Sequence, residues 1–107
     1  TIRDSIVGIR SRIGDGCRIE RAVLMGADHY ESREDMGQNR ERGVPDVGIG
    51  RDVEIRNAII DKNARIGHGA KLVNKDGLAA AATENYNIVD GIIVVPKDAV
   101  IPDGAVI

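Results

Sequence analysis

Large aliphatic residues recur six apart through this chain, and that period limits the possible folds more than any other feature. In 58–72, AIIDKNARIGHGAKL, they are Ile60, Ile66 and Leu72, with Ala58, Ala64 and Ala70 two residues before each. Gly67 follows Ile66, and Gly69 comes soon after. A period of six is neither the 3.6 of a helix nor a two-residue alternation. Short flat strands joined by tight corners satisfy it, three sides making one triangular coil. The expected fold is therefore all-β: a single-stranded left-handed parallel β-helix of hexapeptide repeats.

In chain order, the first block places Val7, Ile13, Ile19 and Met25 six apart, with Ser5, Ser11, Cys17 and Val23 two before them. Cys17 falls at a small inward position and reads as a core filler, since free cysteine is commonly buried. The pattern then stops over about 27–46, a polar and charged excursion ending near Pro45, expected as a loop from one corner. It resumes at Ile49 and Ile55, takes one five-residue side to Ile60, and continues through Ile66 and Leu72. A second excursion covers about 74–91. Its Ala-rich centre, DGLAAAATENY, favours a short helix. Val95, Ile101 and Ile107 close the chain.

Assigning sides in rotation predicts three vertical stacks: Val7–Met25–Ile60–Val95, Ile13–Ile49–Ile66–Ile101 and Ile19–Ile55–Leu72–Ile107. About four coils at about 4.8 Å each give a prism about 20 Å tall. Its two ends expose strand edges that invite another chain. Composition agrees with a narrow interior. The 107 residues include no Phe and no Trp, and Tyr30 and Tyr86 are the only aromatics. The formal net charge of −2, with both signs interleaved, gives no argument for nucleic acid. No apolar run reaches membrane-spanning length and no signal peptide is visible. The single cysteine forms no internal disulfide and fits a reducing compartment. The start at Thr1, inside the repeat pattern, reads as an excised C-terminal domain.

The stacks also bring charges together. Lys62 lies two residues after Ile60 and Lys97 two after Val95, so they share a corner on adjacent coils. Asn63 and Asp98 stack likewise, below Asp28. Two ammonium groups on Cα atoms about 5 Å apart repel each other unless something separates them. Two readings follow. Either the lysines are solvated, Lys62 balanced by Asp61 and Lys97 by Asp98, or they clamp a phosphate or carboxylate. His29 has no second ligand at metal spacing and reads as a loop residue.

The stretches SIVGIRSRIGDGCRIERAVLMGADHYES, GVPDVGIGRDVEIRNAIIDKNARIG and GIIVVPKDAVIPDGAVI closely resemble the C-terminal end of glucose-1-phosphate adenylyltransferase (ADP-glucose pyrophosphorylase). The likeness is to the plant and cyanobacterial type, especially the small subunit, and covers nearly the whole chain. MGAD, IIDKNARIG and the terminal KDAVIPDG carry it more specifically than the hexads do. Arg12 and Pro96 depart from the family's usual residues. The resemblance implies a parent enzyme that makes ADP-glucose and pyrophosphate from ATP and glucose 1-phosphate with Mg2+, in glycogen or starch synthesis. Its catalytic nucleotide-binding domain would be N-terminal and absent from this chain, which would contain no catalytic residue, metal or cofactor and be inactive alone. The β-helix would serve subunit assembly, in a homo- or hetero-oligomer, and allosteric control. By resemblance, Lys62 and Lys97 bind the activator 3-phosphoglycerate at a site overlapping that of inhibitory phosphate, and Asp61 takes part in the activator response. The implied location is the cytoplasm, or the plastid in a plant.

Two other functions fit a hexapeptide β-helix. One is acyl transfer, in which a corner histidine acts as general base. His68, two residues after Ile66, stands at such a corner. The other is a purely structural oligomerisation module with no ligand.

Overall fold

A computed structural model describes all 107 residues. In chain order the elements are β1 (Ile2–Arg3), β2 (Ile6–Val7), β3 (Arg18–Leu24), α1 (Arg33–Arg42), β4 (Gly48–Ile49), β5 (Glu54–Ile60), β6 (Arg65–Ile66), β7 (Lys71–Leu72), β8 (Ala80–Ala82), β9 (Asn87–Val89), β10 (Ile92–Val95) and β11 (Val100–Ile101). Parallel pairing between successive coils builds three sides. One joins Val7, Leu24, Ile60 and Val95. The second joins Ile13, Ile49, Ile66 and Ile101. The third joins Ile2, Ile19, Ile55 and Leu72, and the Ile107 N–H donates to the Lys71 carbonyl below them.

The core follows from this stacking. Ile19, Ile55, Ile66, Leu72 and Ile101 are fully buried, with Ala22, Ala58, Ala64, Ala70 and Cys17 filling the space between sides. At the first coil Ile2 and Val7 remain about half exposed, because no coil lies above them.

One predicted stack changes by a residue. Val7 and Ile60 pair with Leu24, which is buried, whereas Met25 is substantially exposed. Counting six from Ile19 overshoots because that side is only five residues long, as is the side from Ile55 to Ile60. The two short sides lie on each other and turn at Arg21 (φ 48°) and Asn57 (φ 52°). A left-handed residue is costly for an L-amino acid, Asn being among the more tolerant. Here Arg21 Nε donates to Asn57 Oδ1 at 2.8 Å, so the two corners support each other. Each seven-residue strand, β3 and β5, bends through such a corner and serves two sides.

Both excursions are more ordered than the sequence suggests. The 27–46 segment contains α1, with Ser32 and Asp35 forming a reciprocal capping box and Gly43 closing the helix at φ 69°. Its sequence, REDMGQNRER, has almost no apolar face, so polar groups attach it. Glu31, with a nearly buried side chain, accepts from Val47 N (2.6 Å) and Asn39 Nδ2 (2.7 Å) and faces Arg65 at 3.5 Å. Arg65 also donates to the Pro45 carbonyl at 2.8 Å. The expected helix in 74–91 is absent. Its alanines form β8, which runs antiparallel to β9, itself antiparallel to β10. Alanine favours helix intrinsically, but a helix here would present only methyl groups to the prism. The ribbon instead extends the sheet and buries Ile88 with Ala81 packed against the core. Asn74 ties its base, donating to the Leu78 carbonyl and accepting from Leu78 N. No helix is long and apolar enough to cross a membrane.

Candidate functional site

The corner after the Val7–Leu24–Ile60–Val95 side carries the largest convergence of charge foreseen in the sequence. Three equivalent backbone bonds define it: Ala27 N to Ile9 O, Asn63 N to Gly26 O and Asp98 N to Lys62 O. Ile9, Gly26, Lys62 and Lys97 therefore occupy one ladder position. Arg10, Ala27, Asn63 and Asp98 occupy the next, so Ala27 and not the expected Asp28 stacks on Asn63, because Leu24 and not Met25 sets the second coil's register. Arg10, Asn63 and Asp98 turn the corner with φ of 54°, 61° and 64°. On the second coil Gly26 turns it instead, at φ 82°, where a Cβ would run into the Ile9 carbonyl. Only glycine fits both demands at that point.

Lys62 and Lys97 are brought together as expected, but their counter-ion is different. Asp28 lies between them. Its Oδ1 stands 3.5 Å from Lys62 Nζ and its Oδ2 3.8 Å from Lys97 Nζ. Asn63 holds Asp28 from the side: its Nδ2 donates to Asp28 Oδ2 at 3.0 Å, and its Oδ1 accepts from Asp28 N at 3.0 Å. The Asn63 hydrogen bond is the largest influence on the Asp28 carboxyl and, with the smaller contributions of Lys62 and Lys97, keeps it below the ordinary aspartate range against the opposing effect of desolvation. All three charged side chains remain about half exposed, so an external ion can reach them.

Asp61 stands at the same corner in another role. Its Oδ1 accepts from Lys62 N at 2.6 Å, which fixes the backbone from which Lys62 projects. Neither Asp61 nor Asp98 is the ion-pair partner of a lysine, so the pairing expected for solvated lysines is not the one formed. Arg10 is a further cation beside the site; it stands three residues after Val7, as Asn63 does after Ile60 and Asp98 after Val95, so the predicted stack itself brings it to this corner. Its Nε donates to the Ala27 carbonyl at 2.9 Å, one residue before Asp28.

Elsewhere the chemistry-bearing residues have structural employment. His68 Nδ1 accepts from Arg51 N at 2.8 Å, and Asp103 accepts the His68 backbone N–H, not a ring proton. Cys17 is buried, its Sγ 3.1 Å from the Gly50 carbonyl. No three His, Cys, Asp or Glu side chains converge at metal-binding distance.

Compared with known families, residues 1–106 match the model described as the GLGC left-handed parallel beta-helix domain. That description supplies the hand of the coil and spans both excursions as well as every side of the prism.

Proposed function

This chain belongs to the GLGC left-handed parallel β-helix domain family, the C-terminal domain of ADP-glucose pyrophosphorylase, and from that premise we propose that its Lys62–Lys97 corner binds the anionic effector of the enzyme. Membership implies association with the catalytic domain of the parent, a glucose-1-phosphate adenylyltransferase of glycogen and starch synthesis. The finer assignments are our reading. The parent is of the plant or cyanobacterial small-subunit type. Its catalytic domain, which joins ATP and glucose 1-phosphate with Mg2+, precedes this one. The β-helix contributes to subunit assembly through its open ends, and the effector is 3-phosphoglycerate or phosphate.

One observation carries the effector reading: a single carboxylate already bridges the two ammonium groups, one oxygen to each. The spacing of Lys62 and Lys97 therefore suits an anion with at least two oxygens, as a phosphate group has. Asp61 contributes by holding the Lys62 backbone in place. Removing either lysine takes one charge from the clamp and also relieves the repulsion on the survivor. The two losses should therefore not simply add.

The test is effector activation of the full enzyme. Lys62→Ala and Lys97→Ala should each raise the 3-phosphoglycerate concentration for half-maximal activation, within the 5- to 150-fold span of ordinary allosteric couplings. Activity without effector should change little, because catalysis resides in the other domain. Lys71→Ala, on a different side of the prism, is the control. Unaltered responses of both corner variants to 3-phosphoglycerate and phosphate would refute the site.

A further inference from the structure

Asp28 stands where an incoming anion would need to be. An oxyanion reaching both Lys62 and Lys97 must place oxygens where Oδ1 and Oδ2 of Asp28 now face them. The present contacts, 3.5 and 3.8 Å, are longer than the 2.7–2.9 Å of tight charge-assisted hydrogen bonds. They are loose, solvent-facing pairs that a better-placed anion can replace. Asp28 is nevertheless not free to drift away, because Asn63 binds its carboxylate and its backbone N–H together. A second anion entering beside it would meet like charge at close range.

We propose that Asp28 is a built-in competitor of the effector: an internal counter-ion that holds Lys62 and Lys97 when no anion is bound, and whose displacement sets the anion concentration the corner requires. This rests on the reading of the two lysines as an effector clamp. It adds that the threshold for occupancy is controlled by a residue that would not itself bind the effector. Asp28 also offsets the repulsion between the lysines, so the empty corner stays assembled. Its position at the start of the 27–46 excursion places that segment in direct contact with the anion site.

The experiment is calorimetric titration of the full enzyme with inorganic phosphate. Asp28→Asn keeps an acceptor for Asn63 but loses the charge. Asp28→Ser loses the charge and leaves only a shorter hydroxyl, which guards against an effect peculiar to asparagine. Each should bind phosphate about two- to five-fold more tightly than the unmodified enzyme, the range of one exposed ion pair. Asp28→Glu should return the affinity to within about two-fold of the original. Asp76→Asn makes the same change of net charge at an exposed position of the 74–91 excursion and should leave phosphate binding unmoved. Unchanged or weaker binding in Asp28→Asn and Asp28→Ser overturns the proposal, as does an equal gain in Asp76→Asn. The lysine reading is checked separately. If Lys62→Ala and Lys97→Ala bind phosphate as the unmodified enzyme does, the clamp itself is wrong and the competitor falls with it. If they lose binding while the Asp28 variants gain nothing, the clamp stands and the competitor does not.

Discussion

Leu24→Ala and Met25→Ala should separate widely in stability, because the corner at Arg21 decides which of two adjacent apolar residues enters the prism. Leu24 is 3% exposed and Met25 42%. Leu24→Ala removes three buried carbons at about 0.8 kcal/mol each, or about 2.4 kcal/mol. The cavity left behind adds to that. Val7, directly above Leu24, is itself 43% exposed, so the void opens toward the end of the prism and can partly collapse. The total should then lie in the lower half of the range for buried leucines, about 2.5–3.5 kcal/mol. Met25→Ala gives up partly solvated surface and should cost no more than about 1 kcal/mol. Urea unfolding of the 107-residue chain, followed by far-UV circular dichroism, measures both. With a slope between about 1 and 3 kcal/mol/M, the midpoint should fall by roughly 1–3 M for Leu24→Ala and by under about 1 M for Met25→Ala. Equal losses, or a larger one for Met25→Ala, would show that the side is six residues long and that the register described above is wrong.

Three further expectations concern the scaffold. Glu31→Ala strands the Val47 N–H and leaves the Asn39 amide with Asp46 as its remaining acceptor; it should cost about 1–3 kcal/mol locally and raise amide exchange across α1, and unchanged protection there would count against Glu31 as the anchor. Asp35, held below its ordinary value of 3.8 by the Ser32 backbone and hydroxyl, contributes stability above that value that is lost as pH falls through its lowered pKa. Asp35→Asn should therefore lower the urea midpoint at neutral pH and lose its effect in strong acid, and an equal difference at both would contradict the capping box. Gly67→Ala drives a Cβ into the Asp103 backbone, whereas Gly69→Ala meets open space at φ 70°. The first should cost about 1–3 kcal/mol and the second about 1, and thermal melts in the reverse order would refute the close approach of these coils.

The repeating part of the fold was legible in the sequence because each side must bury one large aliphatic residue, and eleven of the twelve assigned stack positions match the pairing. The miss at Met25 arose from a corner that Arg21 turns in the left-handed region, a task for which its sequence gives no warning. Both excursions lack the hexad signal, and their order comes from polar contacts between distant residues. Glu31 meets Arg65, and Asn74 meets Gly91. The Ala-rich segment was misread as helix because propensity counts the residue alone, while the sheet beside it offered Ile93 as a pairing partner for Ile88. At the candidate site the same division holds. The lysines followed from the stacking. The bridging place of Asp28 did not, since it depends on where the chain leaves the prism after Gly26.

The most direct measurement is a crystal structure of the full enzyme with phosphate bound. The account predicts one phosphate between Lys62 Nζ and Lys97 Nζ, an oxygen on each, with the Asp28 carboxylate turned out of that place. Phosphate bound away from this corner, or Asp28 still bridging both lysines with the anion elsewhere on the domain, would contradict it.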